Sequence, residues 1–310
     1  LKYRRLFQDS RKGPALLGLI GDADRQHKCR EKIREGKTYA EVKKFLASKL
    51  EAVSNPHVVL VPAAKVGGGA DAGGRRGQGR REGRRRGAPE DAFGGGNQEL
   101  QLYTDRLKNV RVENGKLIIE AHRDNPNIQG TQRQFSSGKI RTKHRGDWRY
   151  AKIEIRAKLP IGKGIWPAIW MLPTDEKYGP WAASGEIDIV ELKGSRPSEL
   201  LGTLHYGGKW PHNRSSGSKT KLTKGTFADQ FHTFGIEWSK GEVRWMLDGE
   251  YWQIQKKWST KDGLFPAPFD QRFHLLLNIA VGGRLVGAAS TETPFPAQMK
   301  VDWIRVYQRR

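Results

Sequence analysis

The chain has 310 residues and carries a formal net charge of +23. That length gives room for one large domain or two smaller ones with ample core. No run approaches the roughly 18 apolar residues that a membrane span needs, so no membrane partner is expected. One cysteine, Cys29, excludes an intramolecular disulfide.

The first part of the chain differs in composition from the rest. Its first ninety residues hold 22 Lys and Arg against 10 Asp and Glu, whereas all ten Trp lie between Trp148 and Trp303. Apolar residues at helical spacing predict an amphipathic helix over 37–53. The Gly/Arg-rich segment over 66–92 cannot bury enough apolar surface to offset its ordering entropy, so we expect it to be disordered. We therefore expect a poorly ordered basic region over 1–92 that is separate from an ordered domain over 93–310.

Arginine and glycine dominate residues 75–86. Such a run could bind nucleic acid or an acidic polysaccharide through counterion release. RNA-binding arms of this kind usually interleave aromatic residues, and none lies between Phe45 and Phe93. A solvated linker is the simpler interpretation, and nucleic acid is not an expected partner.

From residue 93 onward the pattern is that of β-strands. Two-residue turns at Asn114-Gly115 and Asp248-Gly249 predict two hairpins. Tyr150–Leu159 alternates apolar and charged residues, and two further apolar strands are predicted over His274–Val281 and Val301–Tyr307. Short strands without a long helical pattern predict an all-β sandwich, which would present a concave face able to hold a polymer.

Three carboxylates stand on one apolar segment: Glu186, Asp188 and Glu191. Alternation puts Glu186 and Asp188 on one face of a strand. Glu191 joins them only if one extra residue forms a β-bulge, and the Glu186 and Glu191 carboxyl groups could then approach to about 5–6 Å, near the separation in retaining glycosidases. A solvated edge strand is the alternative. The aliphatic residues at 187, 189, 190 and 192 argue against it, because they predict a strand with one buried face.

This segment resembles the catalytic signature of glycoside hydrolase family 16 in its laminarinase-type form. Six further segments resemble family motifs in the family order: Gly96–Thr104, Ile165–Pro173, His205–Gly208, His232–Trp238, Leu277–Gly283 and Val301–Tyr307. The resemblance covers about 93–310. It implies a β-jelly-roll sandwich (concanavalin A-like) with an open glucan-binding cleft. The motif residues most resemble those of animal β-1,3-glucanases and their relatives.

The resemblance also implies an activity, which is the retaining endo-hydrolysis of β-1,3-glucosidic linkages in glucans such as laminarin. Glu186 would be the nucleophile and Glu191 the general acid/base, with Asp188 orienting Glu186. The expected sugar contacts are Asn97, Gln101, Tyr103, Trp166, Trp170, His205, Trp210 and Asn278. The alternative is a non-catalytic β-1,3-glucan recognition protein, a class whose members have lost the catalytic Glu residues.

Other expectations follow from the same resemblance. The partner would be a β-glucan polysaccharide, and the protein would be a secreted monomer. Many family members build a calcium site from N-terminal residues and an Asp that matches Asp302. The N-terminal Asp-Glu-Phe segment is at best a remnant here, so we expect no required cofactor and no metal in the site, and leave a structural calcium open.

Overall fold

The structure is a computed structural model that describes residues 3–5, 61–62, 97–128 and 130–309. Within these ranges the elements are all strands. They are β1 (Tyr3–Arg5), β2 (Val61–Pro62), β3 (Gln101–Tyr103), β4 (Val110–Glu113), β5 (Lys116–Arg123), β6 (Asn127–Ile128), β7 (Thr131–Gln132), β8 (Phe135–Ser137), β9 (Lys139–Arg141), β10 (Asp147–Trp148), β11 (Ala151–Lys158), β12 (Ile165–Pro173), β13 (Glu186–Leu192), β14 (Glu199–Tyr206), β15 (Arg214–Lys221), β16 (His232–Ser239), β17 (Glu242–Leu247), β18 (Glu250–Gln255), β19 (Phe273–Val281) and β20 (Ala297–Arg309).

Two large sheets pack face to face. The first has the order β18-β17-β16-β11-β20-β5-β8-β3, with β1 beside β20 and β4 beside β5. The second has the order β15-β14-β13-β12-β19-β9-β2, with β10 beside β19. This arrangement confirms the predicted all-β jelly-roll sandwich. No helix in the described ranges is long and apolar enough to cross a membrane.

The core lies between the sheets, and the side chains on one face of each strand point into it. In β11 the buried residues Ile153, Ile155 and Ala157 alternate with partly exposed charged ones, as predicted. All nine residues of β19 are buried, because this strand lies in the middle of the second sheet. The same strand therefore contributes to the core on one face, and on the other face it is covered by side chains such as Trp166, which packs against Ala280.

The two predicted hairpins form at the predicted turns. Asn114 and Gly115 join β4 to β5, with φ angles of 48° and 74°. Asp248 and Gly249 join β17 to β18, with φ angles of 52° and 96°. Positive φ at both turn residues is the geometry of a type I′ turn, which matches the twist of the two strands it connects.

Two short segments of the N-terminal region pair with the sandwich. β1 lies antiparallel to the end of β20, and β2 lies antiparallel to β9. The region that was expected to be separate thus contributes two short strands to the sheets. An edge strand offers unpaired N–H and C=O groups that an extended segment can satisfy. The predicted helix over 37–53 and the Gly/Arg-rich segment over 66–92 lie outside the described residues, so the division at residues 92 and 93 stays a prediction.

Candidate active site

The three carboxylates lie together on β13, an interior strand of the second sheet between β12 and β14. Beside β14, the register runs from Asp188 opposite Thr203 to Glu191 opposite Leu201, so three residues of β13 match two of β14. The same shift occurs beside β12, where Asp188 is opposite Trp170 and Val190 is opposite Ile169. Ile189 is the extra residue. The predicted β-bulge is therefore present, and it returns Glu191 to the face that carries the other two carboxylates.

A tryptophan of the opposing sheet supports the backbone at this bulge. A bulge interrupts the ladder and leaves a backbone group without its usual partner. Here Nε1 of Trp245 donates a hydrogen bond of 2.8 Å to the carbonyl oxygen of Asp188. Trp245 is fully buried, and a Cβ at Gly202 would lie only 2.6 Å from its indole ring. The glycine thus leaves the space that lets the indole reach the catalytic strand.

Two ring side chains contact the carboxylates. The indole N–H of Trp181 donates a hydrogen bond to Oε2 of Glu186. Nε2 of His205 lies 3.2 Å from Oδ2 of Asp188 and 3.9 Å from Oε1 of Glu186. The rings of Trp181 and His205 are 5.7 Å apart. His205 was predicted at the site, whereas Trp181 was not, because it comes from the irregular loop between β12 and β13.

All three carboxyl groups bind protons more tightly than in water. Burial, and then the charge of Asp188, raise the pKa of Glu186 to about 8, against the opposing effects of His205 and Trp181. Burial, and then the charge of Glu186, raise the pKa of Glu191 to about 7, against those of His205 and Trp166. Burial, and then Glu191, raise the pKa of Asp188 well above its usual range. At neutral pH the cluster therefore shares protons and does not hold three negative charges.

Two tryptophans of β12 lie on the same face as the carboxylates. Trp166 and Trp170 alternate with Ile165, Ile169 and Met171, which belong to the main core. Trp166 instead packs with Ala168 and Ala280 on the outer face of the sheet, with Trp170 against the same cluster. Neither tryptophan belongs to the main core between the sheets. Both indoles line the cleft, as their spacing of four residues predicts.

A chain of hydrogen bonds fixes the orientation of Trp170. Its Nε1 donates to Oδ1 of Asn278 at 2.7 Å, and Nδ2 of Asn278 donates to the hydroxyl of Tyr103 at 3.0 Å. The Tyr103 hydroxyl lies 3.4 Å from Oε2 of Glu99. Burial, and then the charge of Glu99, raise the pKa of Tyr103 well above its usual value, so this hydroxyl keeps its proton. Asn278 and Tyr103 are both buried beneath the aromatic wall of the cleft.

The remaining predicted contact residues lie in different surroundings. Gln101 is fully buried, where its Nε2 donates to Glu99 at 2.7 Å and its Oε1 accepts from the backbone of Val281 at 2.6 Å. Asn97 is exposed, and its carbonyl accepts a hydrogen bond from the backbone of Arg284. Trp210 is 68% exposed in the loop after β14. The structure thus gives Gln101 a partner at each end of its amide, and leaves Asn97 and Trp210 on the surface.

The residue matched to the family's calcium site has a protein partner. Nη1 of Arg156 lies 2.7 Å from Oδ2 of Asp302 on the first sheet. A guanidinium in this position supplies positive charge to the carboxylate. The residues at the N-terminal side of such a site lie outside the described ranges.

The strands that build this site lie within a segment that matches a known protein family. The family model for glycosyl hydrolases family 16 matches residues 98–305, which is two thirds of the chain. The chain belongs to this family. As a family 16 member it is a glycoside hydrolase, and the family resemblance seen in its seven segments is confirmed.

Its relatives include enzymes named for glucans. The chain is 44% identical over 227 residues to "Glucan endo-1,3-beta-glucosidase A1" of Niallia circulans, covering 70% of this chain and 33% of that protein. It is 39% identical to "Glucan endo-1,3-beta-glucosidase" of Cryptopygus antarcticus, covering 68% of this chain and 78% of the relative. The chain therefore spans about a third of the first relative's length and most of the second's.

Solved structures show the same fold. The laminarinase from Rhodothermus marinus aligns with a TM-score of 0.60 and 40% identity, covering 69% of this chain and 86% of that one. Similarity also extends to "Beta-1,3-glucan-binding protein" of Penaeus monodon, at 38% identity over 173 residues, which is 48% of this chain and 47% of that protein. Relatives of this chain thus carry names both for hydrolysis and for binding.

Proposed function

We propose that this protein hydrolyses internal β-1,3-glucosidic linkages of β-glucans such as laminarin, with retention of the anomeric configuration. One observation carries the proposal: the bulge at Ile189 places Glu186, Asp188 and Glu191 on one face of β13, between His205 and the indoles of β12. Like charges this close destabilise a strand, and the catalysis of glycosyl transfer needs two such carboxyl groups.

In the first half-reaction Glu186 attacks the anomeric carbon and Glu191 gives its proton to the leaving sugar oxygen. The carbon–oxygen bond of the linkage breaks while an ester bond to Glu186 forms. The N–H of Trp181 and the imidazole of His205 lower the pKa of Glu186, and so favour the carboxylate form that attacks. Asp188, within 3.2 Å of His205, takes part in the same proton-sharing cluster.

In the second half-reaction Glu191, now ionised, takes a proton from a water molecule that attacks the ester. Glu186 leaves as a carboxylate, and the two inversions leave the configuration of the sugar unchanged. A sugar hydroxyl in place of water would give transglycosylation by the same steps. Glu186 is the nucleophile and Glu191 the acid/base with either acceptor.

The distribution of protons must change when substrate binds. In the free protein, burial and the neighbouring carboxylates raise the pKa values of both Glu186 and Glu191, so the two residues compete for protons near neutral pH. A sugar oxygen placed against Glu191 removes its remaining water and offers it an acceptor for its proton. The proton then resides on Glu191, and Glu186 becomes the ionised partner. Substrate binding thus brings the cluster into its reactive form.

The aromatic side chains supply surfaces for sugar rings. The C–H faces of pyranose rings pack on indole rings, while hydroxyl groups need polar partners. Trp166, Trp170 and Trp181 surround the carboxylates, and we propose them as the walls of the central subsites. His205 and Asn97 are proposed as polar contacts. Asn278 and Tyr103 fix the orientation of Trp170, and Gln101 holds Glu99 beside Tyr103. Direct sugar contacts of these three residues stay predictions, as does a contact of Trp210 with a more distant sugar.

The alternative is a glucan-recognition protein without catalysis. It has the support of the similarity to the glucan-binding protein of Penaeus monodon. A pure binder has no physical need for three clustered carboxylates whose pKa values are all raised. We therefore favour hydrolysis. Secretion and a monomeric state stay predictions. The N-glycosylation sequon Asn213-Arg214-Ser215 adds support for secretion.

The deciding experiment is the release of reducing ends from laminarin, with lichenan and agarose as comparison polymers. Wild type is compared with Glu186→Gln, and proton NMR follows the first anomer that appears. We expect activity on laminarin, none on agarose, loss in the variant, and a β-anomer as the first product. Binding of laminarin without hydrolysis by the wild type would favour the recognition protein. A first product with the α-configuration would contradict the retaining mechanism.

A further inference from the structure

A strongly basic surface borders the candidate active site. Residues 193–224, which include β14 and β15, contain seven Lys and Arg and a single acidic residue, Glu199. The positive side chains of β15 and of the loops beside it are exposed, among them Lys209, Lys219, Lys221 and Lys224. We call this set of seven cations the basic edge. With Glu199 included, residues 193–224 have a net charge of +6, which lies on one side of the cleft and so attracts anions toward that side.

Only part of this charge is neutralised by ion pairs. Glu199 contacts both Arg196, at 3.2 Å, and Lys219, at 3.1 Å. One carboxylate shared by two cations leaves that trio with a charge of +1. Exposed ion pairs of this kind contribute little to stability. The concentration of cations is therefore not explained by the fold.

The basic edge continues the catalytic row of side chains. In an antiparallel sheet, residues directly opposite one another share a face. Glu191 is opposite Leu201 on β14, and Leu201 is opposite Lys219 on β15. Lys219 thus faces the same side of the sheet as the catalytic carboxylates, about two strand spacings or roughly 10 Å from Glu191. Lys221 follows on the same face, opposite Glu199.

A polymer that leaves the cleft on this side passes over β15. The floor there is low, because the positions opposite His205 and Thr203 are Ser215 and Gly217. No bulky side chain at these two positions stands between the carboxylates and the edge of the sheet. β15 is the last strand of the sheet in the described part of the chain, so the path is open to solvent beyond it.

We infer that the basic edge is a binding surface for acidic groups on the polysaccharide itself, so that the protein prefers β-1,3-glucans carrying carboxylate or sulfate substituents over neutral ones. The inference rests on the proposed function, since the same chain must occupy the cleft. Lys219 and Lys221 are the cations of β15 that share the face of the catalytic row, and Lys224 extends the surface beyond β15. Nucleic acid is the competing occupant; the alignment of Lys219 with Glu191 favours the polysaccharide.

The test uses Glu186→Gln, which prevents turnover, and compares its dissociation constants for carboxymethyl β-1,3-glucan and for laminarin at about 50 mM and about 500 mM NaCl. In this background K219S/K221S/K224S removes three cations of the basic edge. The matched control is K116S/K240S/K300S, which removes three lysines belonging to strands or turns of the first sheet. Circular dichroism verifies that each variant is folded.

We expect the carboxymethyl glucan to bind about tenfold or more tightly than laminarin at low salt, with the preference lost at high salt. K219S/K221S/K224S should bring the ratio close to one, and the control should keep it. Equal affinity for the two polymers, or an equal loss in the control, would overturn the inference. So would tighter binding of a single-stranded oligonucleotide that is lost in K219S/K221S/K224S. Failure of the proposed function would look different: the wild type would release no reducing ends from laminarin, whatever the ratio of the two dissociation constants.

Discussion

The indole N–H of Trp181 donates a hydrogen bond to the side chain of Glu186, five residues further along the chain. Trp181 is 39% exposed, so this donor belongs to the open cleft and not to the core. The contact lowers the pKa of Glu186, whose burial acts in the opposite direction. A single exposed side chain thus favours the charged form of the proposed nucleophile.

Trp181→Phe keeps the ring and removes only this donor. A hydrogen bond to a charged group contributes about 1.5–3 kcal/mol, so kcat on laminarin should fall roughly 10- to 100-fold. Because the pKa of Glu186 rises when the donor is lost, the acidic limb of the kcat/KM profile should move to higher pH. The control is Trp252→Phe, which removes a buried indole N–H that has no hydrogen-bond partner among the described residues. An unchanged pH profile in the Trp181 variant would refute this role.

Glu186→Gln should make the protein more stable at alkaline pH. The pKa of Glu186 is about 8 in the folded protein against an ordinary value of 4.5. Between these values the folded state holds a proton that the unfolded state releases, so stability falls as pH rises. Gln removes this penalty. The gain in the free energy of unfolding should be about 2–4 kcal/mol near pH 8 and under about 1 kcal/mol near pH 5, as urea titrations would measure.

The comparison variant for this titration is Glu113→Gln. The neighbouring guanidinium of Arg111 lowers the pKa of Glu113, so its removal should give no gain at high pH. A gain for Glu186→Gln that is equal at both pH values would indicate that the raised pKa is not its cause.

Trp245→Phe should affect catalysis from within the core. The variant leaves the carbonyl of Asp188 buried without its donor, which costs about 1–3 kcal/mol of stability. Trp238→Phe is a matched control, because its indole donates to the buried carbonyl of Phe269 at 3.1 Å, away from the bulge. Both variants should lose stability in urea, but only Trp245→Phe should lower kcat. Equal kcat values would show that the bulge does not depend on this support.

Asn278→Ala should weaken substrate binding more than turnover. The change removes the acceptor that fixes Trp170, 2.7 Å from its indole nitrogen, so the ring gains rotational freedom and KM for laminarin should rise about tenfold. Asn109→Ala removes an equally buried amide, which donates to Glu120 and Ser136 instead. It should lower stability and leave KM unchanged. A larger fall in kcat than rise in KM for Asn278→Ala would point to a direct catalytic role.

Chelation should leave the fold intact. The carboxylate of Asp302 has the guanidinium of Arg156 at 2.7 Å, so a calcium ion is not needed to balance its charge. EDTA or added calcium chloride should change Tm by no more than about 1 °C. A fall of several degrees in EDTA that calcium reverses would indicate a structural calcium site.

Much of the site could be derived from local sequence patterns. The alternation in β11, the Asn114-Gly115 turn and the bulge in β13 follow from periods of two residues and from turn chemistry. Each of these features depends on residues that are close together along the chain, so the local sequence pattern predicts it. The same is true of Trp166 and Trp170, whose spacing places them on one face.

The contacts that local patterns miss join distant parts of the chain. Asn278 and Tyr103 are 175 positions apart, and Trp245 and Asp188 are 57 apart. Gln101 was expected at the sugar, yet its amide is enclosed by Glu99 and Val281, because packing between strands decides what a buried amide meets. Trp181 lies in a loop without any period, and only the fold brings it to Glu186. The predicted sugar contact of Gln101 stays a prediction.

The bulge at Ile189 has a consequence for how the chain tolerates changes in length. The separation of Glu186 and Glu191 is measured along β14, from His205 to Leu201, and not by the number of residues in β13 itself. A β13 that lacked Ile189 would carry the three carboxyl groups at alternate positions. It would still pair with the five residues of β14 from His205 to Leu201. Deletion of Ile189 is thus expected to keep this spacing, whereas a deletion in β14 would alter the spacing of the reacting groups. The distance between the two reacting carboxyl groups is therefore set by β14, the strand that pairs with β13.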